Sequence, residues 1–107
     1  MKPSPPIYSD FDEDLSMRDV VESFVIGLAE RVDGLQDGEM AGDFGAISRA
    51  AGELAAAARE AGYPSIVDAA ERVATASAAR AGDEARKAIV ELTELAQRVR
   101  RGSRGAA

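Results

Sequence analysis

The densest group of reactive side chains is acidic: Asp10, Asp12, Glu13 and Asp14. Carboxylates so close together could bind a hard cation or share a proton. A calcium loop also needs a glycine at its sharp turn, and "DFDEDLSMRD" has none. The run therefore reads as a solvated acidic arm. Elsewhere the inventory is thin. The 107 residues include no histidine and no cysteine. This removes the commonest general base, the thiol nucleophile, disulfides and thiolate metal sites. Ser48 and Thr75 lack a neutral base to activate them. The glycines stand singly or beside turn signals, so no phosphate-cradling loop is present. The sequence predicts no enzymatic activity, no cofactor and no metal.

The elements that carry these residues are helical. Residues 1–15 hold three prolines and the acidic run and read as an extended arm, anchored by Ile7, Tyr8 and Phe11. Ser16 reads as an N-cap, with Asp19 three residues later. Val21, Phe24, Val25, Leu28, Val32 and Leu35 then recur at helical spacing. This first helix is predicted over Met17 to Met40, with a bend or early fraying at Gly34 and Gly38. Three "AG" pairs follow at 41–42, 61–62 and 81–82. Each glycine suits the left-handed position that ends a helix. Asp43 and Asp83 read as N-caps of the helices that follow, Pro64 as a first-turn residue, and Ser65 with Asp68 as a capping pair.

The second helix is predicted over Phe44–Ala61, with Phe44, Ile47, Ala51, Leu54 and Ala58 inward. The third spans Pro64–Arg80, with Ile66, Ala69, Ala70, Val73 and Ala76 inward. The fourth spans Glu84–Arg101, with Ile89, Leu92, Leu95, Ala96 and Val99 inward. No segment alternates with period two. Short connections imply antiparallel neighbours. The expected fold is all-α, an antiparallel up-down four-helix bundle over 16–101 with an extended N-terminal arm and a flexible tail over 102–107.

Charge is uneven. Residues 1–45 balance at −8 and residues 46–107 at +2, within a total of −6. The end, "RVRRGSRGAA", reads as a cationic last turn matched to its helix dipole. In so acidic a domain it does not predict nucleic-acid binding. The N-terminus lacks the apolar core of a signal peptide and no apolar run is long enough to span a membrane. A cytoplasmic setting is expected.

Within "RAAGELAAAAREAGYP", Gly52 occupies a helix interior, where glycine costs roughly 1 kcal/mol relative to alanine. At 100° per residue it falls about 140° from Ile47, on the outer surface. Ser48, Ala55, Ala56 and Arg59 lie on or near that side. The result is a low patch bordered by Arg49, Glu53 and Arg59, which another protein's helix could approach closely.

This pattern resembles the histidine-containing phosphotransfer (Hpt) domains, four-helix bundles that relay phosphoryl groups between histidine kinases and response-regulator receiver domains. The resemblance spans Ile7 to Arg98. "IYSDF" with "DLSMRDVVESFVIGLAERVDGL" looks like the family's arm and first helix. "AGDFGAISRAA" looks like the start of its active-site helix, "AREAGYPSIVDAAERV" like its turn and third helix, and "AGDEARKAIVELTEL" like its fourth. The family signature is a histidine, two residues, a lysine and a small residue, about ten residues before the next turn glycine. It falls on "GELAA" here. The phospho-accepting histidine position is Gly52, the lysine position Ala55 and the small-residue position Ala56.

The resemblance implies a non-catalytic Hpt-like module of two-component phosphorelay signalling. It would bind a receiver domain or a histidine kinase without accepting phosphate, through Ser48, Arg49, Gly52, Glu53, Ala55, Ala56 and Arg59. A monomer is expected. The alternative is a helical interaction or dimerisation bundle unrelated to phosphorelay, burying the second or third helix.

Overall fold

The computed structural model describes residues 5–103, so the tail from residue 104 lies outside it. Four helices follow in order: α1 (Arg18–Ala41), α2 (Phe44–Ala61), α3 (Pro64–Ala78) and α4 (Gly82–Gly102). There is no strand among the described residues. Each helix packs on its chain neighbours and α1 closes against α4, which makes an up-down bundle. The α2–α3 pair is the most extensively packed and α1–α4 the least. Alanine explains the first of these. Ala51, Ala55, Ala58 and Ala61 of α2 and Ala69 and Ala70 of α3 are all buried, and small side chains let the two backbones approach.

The larger core side chains fill the remaining space. Leu28, Leu35, Ile47, Leu54, Ile66 and Leu92 are fully buried. Each stabilises the fold by about 1.5–3 kcal/mol through removal of its apolar surface from water. Every predicted inward residue is buried except Val21, Phe44, Ala76 and Leu95, which are half-buried at the margin. Val67 and Ser77 of α3 and Ala85 and Ala88 of α4 join them.

The turns use the expected chemistry twice and a substitute once. Gly42 (φ 68°) and Gly62 (φ 80°) are left-handed and end α1 and α2. Asp43 caps α2 by accepting from the Ala46 N–H at 3.0 Å. The third turn differs. Its left-handed residue is Arg80 (φ 56°), and the Ala81 N–H donates back to the Ala76 carbonyl at 2.9 Å. That closure completes before Gly82, which becomes the first residue of α4 instead of its predecessor's terminator. α3 accordingly stops at Ala78, short of the expected Arg80.

Other expectations are corrected. The cap at the start of the bundle is Asp14, whose carboxylate accepts from the Ser16 N–H at 3.0 Å and the Ser16 hydroxyl at 2.6 Å. A charged acceptor displaces the serine and opens a short 3-10 turn, Leu15–Met17, that feeds α1. Asp83 does not cap α4, where Ala81 holds that position without a side-chain bond. It sits in the first turn, where it complements the dipole. Tyr63, not Ser65, precedes α3, with Pro64 opening the first turn. The Ser65 hydroxyl is buried without a hydrogen-bond partner among the described residues. Finally, α1 runs through Gly34 and Gly38 to Ala41. A Cβ at Gly38 would stand 2.7 Å from Ile47 Cγ1, so that glycine admits α2 against α1.

The arm is built into the bundle. The Ile7 N–H donates to the Arg98 carbonyl at 3.0 Å, and the Arg98 Nε donates to the Pro5 carbonyl at 2.8 Å. Ser9 is 5% exposed, and its hydroxyl donates to the Ala61 carbonyl at 2.5 Å and accepts from the Phe11 N–H at 2.9 Å. The Asp10 N–H donates to the Gly62 carbonyl at 2.7 Å. The arm thus straps the end of α4 to the α2–α3 turn. Two glycines make room for it. A Cβ at Gly62 would meet Phe11 Cδ2 at 2.7 Å, and one at Gly102 would collide with the Ile7 carbonyl. Gly102, expected in the tail, is therefore a buried residue of α4.

Candidate docking face on α2 and α3

Gly52 lies midway along α2, exposed, and a Cβ added there would meet nothing within 4 Å. No packing partner therefore requires the missing side chain. On the helical wheel Arg59, Ser48 and Ala56 lie within about 40° of Gly52. Ser48 is half-buried and the other two are exposed. These four residues share one face.

The remaining candidates divide. Arg49 is exposed, about 60° to one side. Its guanidinium passes 3.7 Å from where a Gly45 Cβ would stand. Glu53 is exposed about 100° round from Gly52, on the flank that turns toward α1, and does not join the face. Ala55 is 4% exposed and belongs to the core cluster. This corrects its placement on the surface. It sits at the α2–α3 seam, and the close approach of those helices widens the buried sector beyond the stripe marked by Ile47 and Leu54.

α3 supplies the other half of the face. The Arg59 guanidinium donates to the Glu71 carboxylate at 3.2 Å across the two helices. Counted from the connecting turn, Gly52 stands nine residues before the end of α2 and Val73 nine residues after the start of α3, so the two lie at about the same height. The face is low at its centre and ends in an ion pair. Both partners are more than half exposed, so the pair adds little stability, at most about 1 kcal/mol.

A second concavity on the other flank of α2 was not anticipated. Asp19, Val20, Ser23, Phe24, Gly27 and Arg31 of α1 border it with Ala57 and Glu60 of α2. The sequence signal was Gly27, a glycine inside α1 with open space where a Cβ would be.

The face holds no group that could form a stable phosphoryl adduct of the phosphohistidine kind, because the chain has no histidine. Among the described residues no three carboxylates converge on a possible metal position, so the acidic arm remains dispersed. The Tyr63 phenol is pushed up to about 12, first by burial and then by the Asp12 carboxylate. Its ring stacks on Phe24 with centroids 5.4 Å apart. Tyr63 belongs to the arm end of the bundle, away from Gly52.

No protein-family model, curated protein or solved structure matches the chain. Among the described residues, no helix is long and apolar enough to cross a membrane.

Proposed function

We propose that the chain is a non-catalytic, Hpt-like module of the cytoplasm. It docks a response-regulator receiver domain or a histidine kinase on the α2–α3 face and takes up no phosphate. One observation carries this reading: Gly52, at the position where an Hpt domain has its histidine, is exposed at the centre of a low helix surface with nothing packed against it. The up-down bundle and the ordered arm agree with that family's architecture. Without an acceptor, such a module competes with true phosphotransfer partners or scaffolds them.

The test is titration of purified receiver and kinase dimerisation domains from the same cell against the intact chain and its Gly52→Trp variant. Binding that the bulky residue weakens at least tenfold supports the reading. Binding indifferent to Gly52→Trp removes this face from it.

Self-association is the second reading. It is favoured by exposed apolar side chains on α1 and α4, not on the second or third helix where the sequence placed such an interface: Ile26 of α1 is 74% exposed and Val90 of α4 is 62% exposed. Light scattering after size exclusion separates the two readings, since a stable dimer supports the second and a monomer the first.

A further inference from the structure

A cavity of about 260 Å³ lies where the arm, the start of α1 and the end of α4 meet. That is below the range of roughly 300–1,000 Å³ usual for small-molecule sites, and it fits one side chain better than a cofactor. Its walls are of two kinds. Tyr8, Phe11 and Tyr63 supply aromatic rings, while Asp12, Asp14 and Glu22 supply carboxylates.

Not all of that charge is already committed. Glu22 stands 4.0 Å from Arg18, the cation on the cavity wall, and one oxygen of Asp14 caps the 3-10 turn. The Asp12 carboxylate has no hydrogen bond or ion pair among the described residues. Tyr63 is 2% exposed as a residue, and its hydroxyl, which keeps contact with solvent, makes no hydrogen bond among the described residues. A buried aromatic ring whose hydroxyl makes no hydrogen bond within the chain, beside an unpaired carboxylate and two further rings, is an incomplete set. Aromatic faces attract cations, and a planar guanidinium can stack on a ring while its N–H groups reach oxygen acceptors.

We infer that this cavity receives the guanidinium of a partner protein's arginine, stacked among Tyr8, Phe11 and Tyr63 and paired with Asp12. The occupant follows from charge complementarity, from the number of rings and from a volume suited to one side chain. The site stands apart from Gly52 and does not depend on the phosphorelay reading.

Tyrosine fluorescence reads it directly. The chain has two tyrosines and no tryptophan, and both tyrosines line the cavity. The full chain is titrated with acetyl-Gly-Arg-Gly-amide, with the same peptide carrying neutral citrulline, and with agmatine. The expected result is a saturable change with the arginine peptide and at least tenfold weaker binding of the citrulline peptide. Asp12→Asn, an exposed substitution whose fold circular dichroism checks, is expected to weaken the arginine peptide about tenfold. Tyr8→Leu should weaken it several-fold. Equal responses to arginine and citrulline, or unchanged binding in Asp12→Asn, would overturn the assignment. Saturable binding of agmatine without binding of the peptide would overturn the choice of a protein side chain as occupant.

Discussion

Gly42 and Gly62 offer a controlled comparison, because both are left-handed caps but only one lies under the arm. At Gly42 (φ 68°) an added Cβ would meet nothing within 4 Å. Gly42→Ala therefore incurs only the left-handed backbone penalty, about 1–2 kcal/mol. At Gly62 (φ 80°) the same methyl would stand 2.7 Å from Phe11 Cδ2 and 2.8 Å from Ser9 Oγ. Gly62→Ala incurs that penalty and must also displace the arm. Moving Ser9 gives up its bond to the Ala61 carbonyl, worth about 0.5–1.5 kcal/mol net. Moving Phe11 gives up a half-buried ring. Gly62→Ala should thus cost about 1–3 kcal/mol more than Gly42→Ala. Urea denaturation followed by circular dichroism measures both. Ser9→Ala supplies the control: with the bond already gone, the added cost of Gly62→Ala should shrink, a coupling that a double-mutant cycle resolves. Equal costs at the two glycines would refute the strap, because they would mean that the arm does not rest on the α2–α3 turn.

The other predictions are more local. Gly52→Ala should raise stability by roughly 1 kcal/mol, the helix-propensity difference, since the new methyl meets open space; thermal melting checks it. Arg80→Gly should be neutral or stabilising by up to about 1 kcal/mol, because relief of left-handed strain outweighs the entropy that glycine loses on folding. The Tyr63 phenol, raised to about 12 in the folded state, should hold its proton above the unfolded value. Stability is then full below about pH 10 and falls as pH rises toward 12, and Tyr63→Phe should flatten that part of the stability profile. Ala55→Lys should lower the melting temperature, because a lysine at the buried α2–α3 seam must snorkel out to reach water.

The helices were legible because their signals are local. Ile47, Leu54 and Ala58 mark a stripe that needs no knowledge of the partner helix, and Gly42 and Gly62 sit where the chain must turn left-handed. The third turn was misread because its left-handed residue is Arg80, while the neighbouring Gly82 offered the more familiar signal. Ala55 was misplaced for a related reason. At the edge of the apolar sector, burial depends on how closely α3 approaches, and that distance is a property of the pair. The arm was expected to anchor through Ile7, Tyr8 and Phe11, yet Tyr8 stays 49% exposed and Ser9 is the buried residue. The hydroxyl of Ser9 meets a carbonyl 52 residues away, a pairing that composition cannot suggest. The docking face was legible only at its centre. The exposure of Gly52 follows from periodicity, whereas the contribution of Glu71 needed the pairing of α2 with α3.

The central proposal is that the face around Gly52 binds a signalling partner without taking up phosphate. The most direct measurement is calorimetric titration of receiver domains from the same cell into the intact chain, repeated with Gly52→Trp and Gly52→Ala. The account predicts saturable binding to at least one receiver, retained in Gly52→Ala and weakened at least tenfold in Gly52→Trp. Equal affinity of all three chains, or no receiver bound by any of them, would contradict it.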